Sequence, residues 1–332
     1  MRKILVIQTA FIGDVVLATA LLESLHNTYP DATLDILVRK GNETLFDKHP
    51  YLNSVLVWNK KQHKYKHLFL ILQQIRSNRY SLVLNLQRFA ATGFLTAFSK
   101  ADMTIGFNKN PFHFLFSKSV KHEIDASGIS IHEVNRNHQL LQSIGQIPFG
   151  KPALYPSSQE EAHVAKWKGQ PYICIAPTSV WFTKQFAENK WIDFLNEVPR
   201  NIKIFVLGGP DDVELCNRII RASSNDQCTN LAGTCNFLQS AALMRGALMN
   251  YVNDSAPMHF CSAVNAPVTA IYCSTVPAFG FGPLSDQSFI VETLTPLSCR
   301  PCGLHGLKAC PHNHFNCAQT IQISQLINTL PH

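Results

Sequence analysis

The first residues that could carry out chemistry lie in the turn Gln8–Val16, where a short apolar run gives way to a helical pattern. Asp14 is the acidic residue of this turn, and a carboxylate placed there can accept a proton from an attacking hydroxyl. Ligands of α/β proteins bind beyond the carboxyl ends of the strands, which is where such a turn lies. Aspartate is also a favoured helix cap, so a catalytic and a structural interpretation both stay open.

A second candidate segment, residues 252–259, again runs from an apolar stretch into a helix, with Pro257 near its first position. Asp254 or Ser255 would cap that helix. The N–H groups and the positive dipole end of a helix start suit a pyrophosphate. His259 falls in the first turn, near any ligand bound there. The alternative is a core histidine that hydrogen-bonds to the backbone.

A third segment, residues 176–184, offers the hydroxyls of Thr178, Ser179 and Thr183 and the cation of Lys184. We predict that it lies at the same sheet edge as the second segment. Hydroxyls beside a lysine can bind a diphosphate, although solvated Ser/Thr loops are common. The chain has neither a G-x-G-x-x-G turn nor a P-loop, which argues against an NAD- or FAD-binding first domain.

Four of the ten cysteines cluster near the carboxyl end, in a Cys-rich segment spanning residues 299–317. Cys299 and Cys302 have zinc-like spacing, but the gaps to Cys310 and Cys317 do not fit a zinc ribbon or finger. We therefore predict reduced structural thiols here, with zinc as the alternative, and no metal or other cofactor for catalysis. The six scattered cysteines are expected to pack as small buried hydrophobes.

The elements that position these residues follow from the hydrophobic pattern. Short β-branched runs alternate with helical patterns along the whole chain, which predicts parallel sheets built from βαβ units. Gly and Pro interrupt both periodicities at residues 149–156, and Ser158–Glu161 is typical of a capping box. We therefore predict an α/β fold of two facing, Rossmann-like, doubly wound domains, residues 1–156 and 157–332.

The predicted strands of the first domain are Lys3–Gln8, Thr33–Val38, Ser54–Trp58, Ser81–Leu86 and Met103–Phe107. Those of the second domain are Tyr172–Ala176, Lys203–Leu207, Leu248–Val252, Val268–Tyr272 and Phe289–Glu292. The predicted helices are Val15–Asn27, Leu68–Arg76, Trp191–Glu197, Asp211–Ala222, Phe237–Arg245 and Pro257–Val264.

The net charge of +7 is unevenly distributed. Residues 1–156 hold 18 Lys and Arg against 10 Asp and Glu, whereas residues 157–332 hold 11 against 12. A basic first domain indicates an anionic partner such as nucleic acid, an anionic membrane face or a phosphorylated substrate, or else serves solubility alone. The basic run Lys60–His67 leads into apolar residues and could rest on anionic lipid; a solvated turn before an amphipathic core helix is the alternative.

No apolar run is long enough to span a bilayer. The amino terminus shares only its first three residues with a signal peptide, and no small-residue cleavage site follows a long apolar stretch. A first strand explains it better, so we expect a cytoplasmic protein.

Five ordered segments, and the Cys-rich segment after them, carry a resemblance that covers nearly the whole chain. They are IGDVVLATALLESL (12–25), SVWFTKQFAENKW (179–191), LGGPDD (207–212), NLAGTCNFLQSAAL (230–243), NDSAPMHFCSAV (253–264) and CRPCGLHGLKACP (299–311). This order is similar to that of family 9 glycosyltransferases, the heptosyltransferases of lipopolysaccharide core synthesis. The Cys-rich segment resembles the heptosyltransferase II branch more than the heptosyltransferase I branch.

The resemblance implies a GT-B architecture, with the acceptor bound by the first domain and the nucleotide sugar by the second. It also implies that Asp14 and Lys184 are catalytic, with Lys184 holding the donor phosphates. The other implied donor-binding residues are Thr178, Ser179, Thr183, Asp212, Asp254, Ser255, Ala256 and His259. The sequence departs from the family in two places: Ala256 replaces a usual glycine, and Gln185 follows Lys184 where arginine is commoner.

The predicted function is therefore inverting transfer of heptose from ADP-heptose to the lipopolysaccharide inner core, on an acceptor of the Kdo-lipid A type. The expected partners are the nucleotide sugar, an anionic glycolipid and the inner face of the inner membrane as a peripheral contact, but not nucleic acid. The alternatives are another nucleotide sugar or acceptor, or a non-catalytic nucleotide-sugar-binding protein, against which Asp14 and Lys184 argue. The missing glycine fingerprint and the lack of a Tyr-x-x-x-Lys motif disfavour a nucleotide-sugar epimerase.

Overall fold

The structure is a computed structural model that describes residues 2–123, 125–126 and 129–331. The chain divides into two compact units, unit 1 (residues 1–155) and unit 2 (residues 156–332). This division lies one residue from the boundary predicted from the sequence. Among the residues described, none of the helices combines the length and the apolarity needed to cross a bilayer.

Unit 1 alternates strands and helices along most of its length. Its elements are β1 (Lys3–Ile7), α1 (Ile12–Thr28), β2 (Thr33–Arg39), β3 (Leu52–Trp58), α2 (Lys64–Asn78), β4 (Leu82–Asn85), α3 (Ala90–Ala97), β5 (Met103–Phe107), β6 (Lys118–Val120), β7 (Asp125–Ala126), β8 (Ile129–Ser130) and α4 (Glu133–Gln142). Six of the strands form one parallel sheet in the order β3-β2-β1-β4-β5-β6, and β7 pairs antiparallel with β8.

Unit 2 repeats this plan. Its elements are α5 (Ser158–Val164), β9 (Tyr172–Ala176), α6 (Glu188–Glu197), β10 (Lys203–Val206), α7 (Val213–Ala222), β11 (Cys228–Asn230), α8 (Phe237–Arg245), β12 (Asn250–Asn253), α9 (Ala256–Ala263), β13 (Val268–Tyr272), β14 (Ser288–Glu292), α10 (Asn316–Gln319) and α11 (Ile323–Ile327). Its parallel sheet has the order β11-β10-β9-β12-β13-β14. The predicted α/β class, with two doubly wound Rossmann-like sheets, is confirmed.

The apolar cores explain why these elements form. In α2 the buried side chains Leu68, Ile71, Leu72 and Ile75 recur every three or four residues and pack against the sheet of unit 1. Burial of one such face supplies most of the stability of a helix in a domain. In unit 2 the fully buried Trp191 anchors α6 on the sheet in the same way.

Both sheets have a topological switch point, where the direction of the connections reverses. The strand order places it between β1 and β4 in unit 1 and between β9 and β12 in unit 2. Ligands of doubly wound folds bind outside the carboxyl ends of the strands at such points. Asp14 follows β1, and the two hydroxyl- and acid-bearing segments of unit 2 follow β9 and β12. These segments therefore lie at the switch points of their own sheets, whereas Asp212 follows the neighbouring strand β10.

Four strands (β6, β7, β8 and β11) and four helices (α3, α4, α10 and α11) were not predicted from the sequence, and one cap lies one residue earlier than predicted. β6 and β11 have three residues each, with a single apolar residue or cysteine among them, so they leave no alternating pattern to detect. The capping box before α5 is formed by Ser157 and Glu160, one residue earlier than predicted from Ser158–Glu161. The pattern of a hydroxyl followed three residues later by a glutamate occurs in both registers, and the sequence alone does not separate them.

Candidate active site

Asp14 lies in the first turn of α1, three residues after Phe11, which occupies the N-cap position. Asp14 is therefore not the N-cap residue itself but an acidic residue of the first turn, where a negative charge favours the helix start. The Asp14 side chain is partly exposed at the carboxyl edge of the sheet. Burial lowers the pKa of the nearby Arg39 guanidinium, and the Asp14 carboxylate opposes this shift by favouring the charged form.

Side chains from two neighbouring strands hold the turn that precedes Asp14. Lys60 Nζ donates to the Thr9 carbonyl oxygen at 2.7 Å and to Thr9 Oγ1 at 3.0 Å. Asn42 Nδ2 donates to the Ala10 carbonyl oxygen at 3.2 Å. Buried backbone groups that are bonded in this way cannot shift without losing their partners. The β1–α1 turn is therefore fixed before any substrate binds.

Lys60 itself is a partly desolvated cation. Its Nζ lies 4.8 Å from the centre of the Trp58 ring, a favourable cation–π distance. Burial, together with the charges of Arg39 and Lys64, lowers the pKa of Lys60 to about 8. Sequence analysis noted Lys60 only as the first residue of a basic run and did not single out Arg39. The available signal was their position, because each stands at or just beyond the carboxyl end of a strand.

In unit 2 the structure brings two predicted residues into direct contact. Lys184 Nζ lies 2.7 Å from Asp254 Oδ2, and the two side chains are 16% and 8% exposed. Thr275 Oγ1 donates to the same carboxylate oxygen at 2.7 Å. An ammonium group has three N–H donors, so the contact with Asp254 uses one of them. A mostly buried, charge-compensated cation thus lies at the switch point of unit 2.

Asn253, a fully buried side chain, fixes the loop after β9 against the end of β12. Its Oδ1 accepts the Phe186 N–H at 2.8 Å. Its Nδ2 donates to the carbonyl oxygens of Ala176 and Thr178, both at 3.4 Å. The two segments predicted separately from the sequence are therefore one unit of hydrogen-bonded structure.

Thr183 is only 1% exposed, and its hydroxyl is engaged within the protein. Thr183 Oγ1 accepts the Leu307 N–H at 2.7 Å and the Ser274 hydroxyl at 2.9 Å. Gly306 approaches so closely that a Cβ there would lie 2.8 Å from Lys184 Cγ. The burial of Thr183 argues against its predicted direct contact with a donor. Instead, Thr183 ties the Cys-rich segment to the loop that carries Lys184.

The start of α9 differs in detail from the prediction. Ser255 occupies the N-cap position but does not cap the helix, because its hydroxyl donates to the Asn253 carbonyl oxygen at 3.4 Å. Ala256 is the first helical residue, and Pro257 is the second rather than the first. His259 is 5% exposed, as the buried-histidine interpretation requires, and its contact with a donor stays a prediction.

The other predicted donor residues lie on partly exposed loops of unit 2. Asp212 Oδ2 accepts the Gly209 N–H at 2.7 Å, which closes the turn before α7. The Ser179 carbonyl oxygen accepts from Gln185 Nε2 at 2.7 Å. Gln185, which departs from the family pattern, thus stabilises the loop that carries Lys184. The roles of Thr178, Ser179 and Asp212 toward a ligand stay predictions.

Arg300 is a residue that sequence analysis missed. Its guanidinium donates to the carbonyl oxygens of Cys273 at 2.7 Å and Thr275 at 2.8 Å and forms a 2.6 Å ion pair with Glu292. Through Thr275 it positions the hydroxyl that contacts Asp254. Sequence analysis noted this segment only for its cysteines and therefore did not identify Arg300.

All ten cysteines are free thiols. Cys302 Sγ donates to the Cys299 carbonyl oxygen at 3.3 Å, and Cys299 Sγ lies 3.9 Å from His314 Nε2. Burial raises the pKa of Cys302 and, to about 11, that of Cys317, so neither thiol ionises readily at neutral pH. Within the described part of the chain, no three His, Cys, Asp or Glu side chains are grouped in a way that could hold a metal ion.

Comparison with known proteins identifies the family. The sequence profile of glycosyltransferase family 9 (heptosyltransferase) matches residues 69–305, well over half of the chain. The chain belongs to glycosyltransferase family 9. It is 28% identical to lipopolysaccharide heptosyltransferase 3 of Escherichia coli over 286 residues, which cover 80% of this chain and 82% of that protein. It is 21% identical to lipopolysaccharide heptosyltransferase 2 of E. coli K12 over 317 residues, 88% of each chain.

The fold of this family 9 chain has solved counterparts. The structure of E. coli ADP-heptose lipopolysaccharide heptosyltransferase II matches it with a TM-score of 0.78 at 21% identity, covering 99% of this chain and 98% of the other. The predicted GT-B-type α/β architecture is thereby confirmed. Since relatives with both the heptosyltransferase 2 and 3 names match, assignment to the heptosyltransferase II branch stays a prediction.

Proposed function

We propose that this family 9 glycosyltransferase transfers heptose, with inversion at the anomeric carbon, from ADP-heptose to an inner-core sugar of lipopolysaccharide. The acceptor hydroxyl oxygen would bond to the anomeric carbon as the bond to the diphosphate breaks. Asp14 would take the hydroxyl proton, and ADP would leave with the bonding electron pair. The partial exposure of Asp14 at a switch point supports this role.

The observation that carries the proposal is the Lys184–Asp254 pair beside the start of α9. The leaving diphosphate gains negative charge, which a lysine ammonium and the positive end of a helix dipole stabilise. Asp254 holds the ammonium in place at 2.7 Å, so that little reorganisation is needed during the reaction. We propose that these groups replace a divalent ion and that transfer needs no metal.

Two similarities support the choice of substrates. The similar E. coli structure is named an ADP-heptose heptosyltransferase, which supports ADP-heptose as the donor. The similar proteins are named lipopolysaccharide heptosyltransferases 2 and 3, which supports an acceptor in the lipopolysaccharide core. The excess of cations in residues 1–156 supports an anionic glycolipid acceptor there. We accordingly propose that the chain works in the cytoplasm, at the inner face of the inner membrane.

The test is to incubate the chain with a panel of nucleotide sugars and lipid A-based acceptors, with and without a chelator, and to identify products by mass spectrometry. We expect heptose addition from ADP-heptose alone, at equal rates with chelator. The anomeric configuration of the product, determined by NMR, tests inversion. Transfer from another nucleotide sugar, or activity abolished by chelator and restored by a metal, would contradict the corresponding part of the proposal.

A further inference from the structure

Unit 1 exposes an unusual number of large apolar side chains over a short stretch of sequence. Seven of them between residues 65 and 115 are 39–72% exposed. Single exposed apolar residues are ordinary, but a contiguous set marks an interaction surface. We call this set the aromatic face: Tyr65, Phe69, Leu70, Phe89, Phe98, Phe114 and Leu115.

Ring contacts join the elements that carry the aromatic face. Phe69 of α2 and Phe94 of α3 have ring centres 5.8 Å apart, and Phe94 lies 5.0 Å from Phe98. Phe112, in the loop after β5, lies 6.3 Å from both Phe94 and Phe98. Phe69 and Phe98 of the aromatic face therefore belong to one aromatic cluster that joins α2, α3 and this loop.

The same stretch is strongly cationic. Between residues 59 and 122 there are eleven Lys and Arg but a single carboxylate, Asp102. Ten of the eleven cationic side chains are exposed, Lys60 being the partly buried one. The exposed cations are Lys61, Lys64, Lys66, Arg76, Arg79, Arg88, Lys100, Lys109, Lys118 and Lys121.

We propose that the aromatic face binds the surface of an anionic phospholipid bilayer. Aromatic rings favour the headgroup level of a membrane, and lysines around them are attracted to anionic lipids. Each of the two signals is weak alone, and together they give stable peripheral binding.

The charge and the side-chain types of the aromatic face also argue against two other binding partners. A second copy would bring like-charged faces together, which costs free energy. A single-stranded nucleic acid would stack on the aromatic rings, but the exposed aliphatic side chains of Leu70 and Leu115 offer it no stacking partner.

The experiment is co-sedimentation of the whole chain with vesicles of phosphatidylcholine alone or of equal parts phosphatidylcholine and phosphatidylglycerol. We expect binding to the mixed vesicles only, weakened by salt. Replacing both Tyr65 and Phe69 by Ser should weaken the partition by about tenfold or more. The double variant Lys64→Gln and Lys66→Gln should weaken it by about 25-fold, since each lysine near the surface contributes about fivefold.

Leu294→Ser is the matched control, because Leu294 is a 75% exposed apolar side chain in unit 2. It should bind vesicles like the unchanged chain. All substituted side chains are exposed, so the variants should remain folded at the assay temperature. A cooperative thermal transition well above that temperature excludes unfolding as the cause of lost binding. Retained turnover of the variants on a water-soluble acceptor fragment would further support a role in docking alone.

Several outcomes would overturn the inference. These are equal binding to the two kinds of vesicle, variants that bind like the unchanged chain, lipid-free self-association abolished by Phe69→Ser, and binding of poly(U) without binding of vesicles. The inference rests on the proposed location at a membrane but not on the proposed transfer of heptose. A chain that binds mixed vesicles through this face but transfers no heptose would support the inference and contradict the proposed function.

Discussion

The carboxyl edges of the two sheets share the strand order 3-2-1-4-5-6, but their candidate residues are held in different ways. In unit 1, Asp14 is partly exposed near the Arg39 cation, and Lys60 and Asn42 donate hydrogen bonds to the backbone of the turn that precedes it. In unit 2, Lys184 is mostly buried and paired directly with Asp254.

This difference predicts which substitutions should change the reaction rate and which should change ligand affinity and stability. Changing a partly exposed carboxylate alters the chemistry with little effect on the fold. Changing one member of a mostly buried ion pair leaves its partner uncompensated and affects stability as well as ligand affinity. Substitutions in the two units should therefore separate rate effects from affinity and stability effects.

The largest effect is expected from Asp14→Asn, which keeps the shape of the side chain but removes its basicity. Turnover should fall by about 10²–10⁴-fold, the usual contribution of a general base. ADP affinity, measured by calorimetry, and the urea midpoint should remain nearly unchanged. Asp31→Asn, at an exposed carboxylate in the same unit, is the control. Unchanged turnover in the Asp14 variant would exclude Asp14 as the base.

Lys184→Met should produce the next largest effect and show the contrasting pattern. Loss of a charge-assisted hydrogen bond, which contributes about 1.5–3 kcal/mol, should weaken ADP binding by about 10- to 150-fold. The urea midpoint should also fall, because the buried Asp254 carboxylate would keep its hydrogen bond from the Thr275 hydroxyl but lose the cation that compensates its charge. Lys166→Met, at an exposed lysine of unit 2, should change neither quantity. Unchanged ADP affinity and turnover in the Lys184 variant would refute the assignment.

Much of the fold could be predicted from the sequence. The alternation of β-branched runs with helical patterns predicts ten strands of the two sheets, since strands of four to seven residues, most of them buried, leave a clear apolar signal. The short strands β6 and β11 left none. The segments that carry Asp14, Lys184 and Asp254 were also recognisable, because each follows such a strand.

The contacts that position these residues were not predictable in the same way. Gly306 meets Lys184, and Leu307 meets Thr183, although more than 120 residues separate the partners of each pair. The segment around Gly306 is conspicuous for its cysteines. Its contacts with the site are instead made by the Leu307 backbone and by the close approach of Gly306, neither of which forms a recognisable motif. Thr183 likewise has the chemistry of a ligand contact but is buried by these contacts.

Gly306→Ala tests this long-range support and should have a smaller effect than Lys184→Met. Both Gly306 (φ +74°) and Gly303 (φ +73°) have left-handed backbones, so alanine strains both. Only at Gly306 would the new Cβ meet Lys184, since nothing lies within 4 Å of a Cβ at Gly303. Gly306→Ala should therefore weaken ADP binding severalfold, whereas Gly303→Ala should lower only the thermal midpoint. Equal ADP affinity in the two variants would contradict a positioning role for Gly306.

The smallest expected effect concerns the pH dependence of stability in unit 1. The pKa of Lys60 is about 8 in the folded chain and about 10.4 in an unfolded one. Below pH 8 both states hold the proton, and the cost of burying the charge is constant. Between these two values the folded chain has released the proton while the unfolded chain retains it, so the contribution of Lys60 to the free energy of unfolding rises with pH.

Lys60→Met removes this titration. The free energy of unfolding of the unchanged chain minus that of Lys60→Met, measured in urea at pH 7.5 and 9.5, should therefore increase with pH. Lys60 is partly exposed, and solvent screening should keep the increase below about 1 kcal/mol. Taking the difference cancels the titration of tyrosines and cysteines, which both chains share. Lys61→Met, at an exposed neighbour, should give a difference that does not vary with pH. A flat or falling difference for Lys60→Met would show that this amine is not desolvated. The turn before Asp14 would then not be held by a desolvated cation, and the contrast with the buried ion pair of unit 2 would weaken.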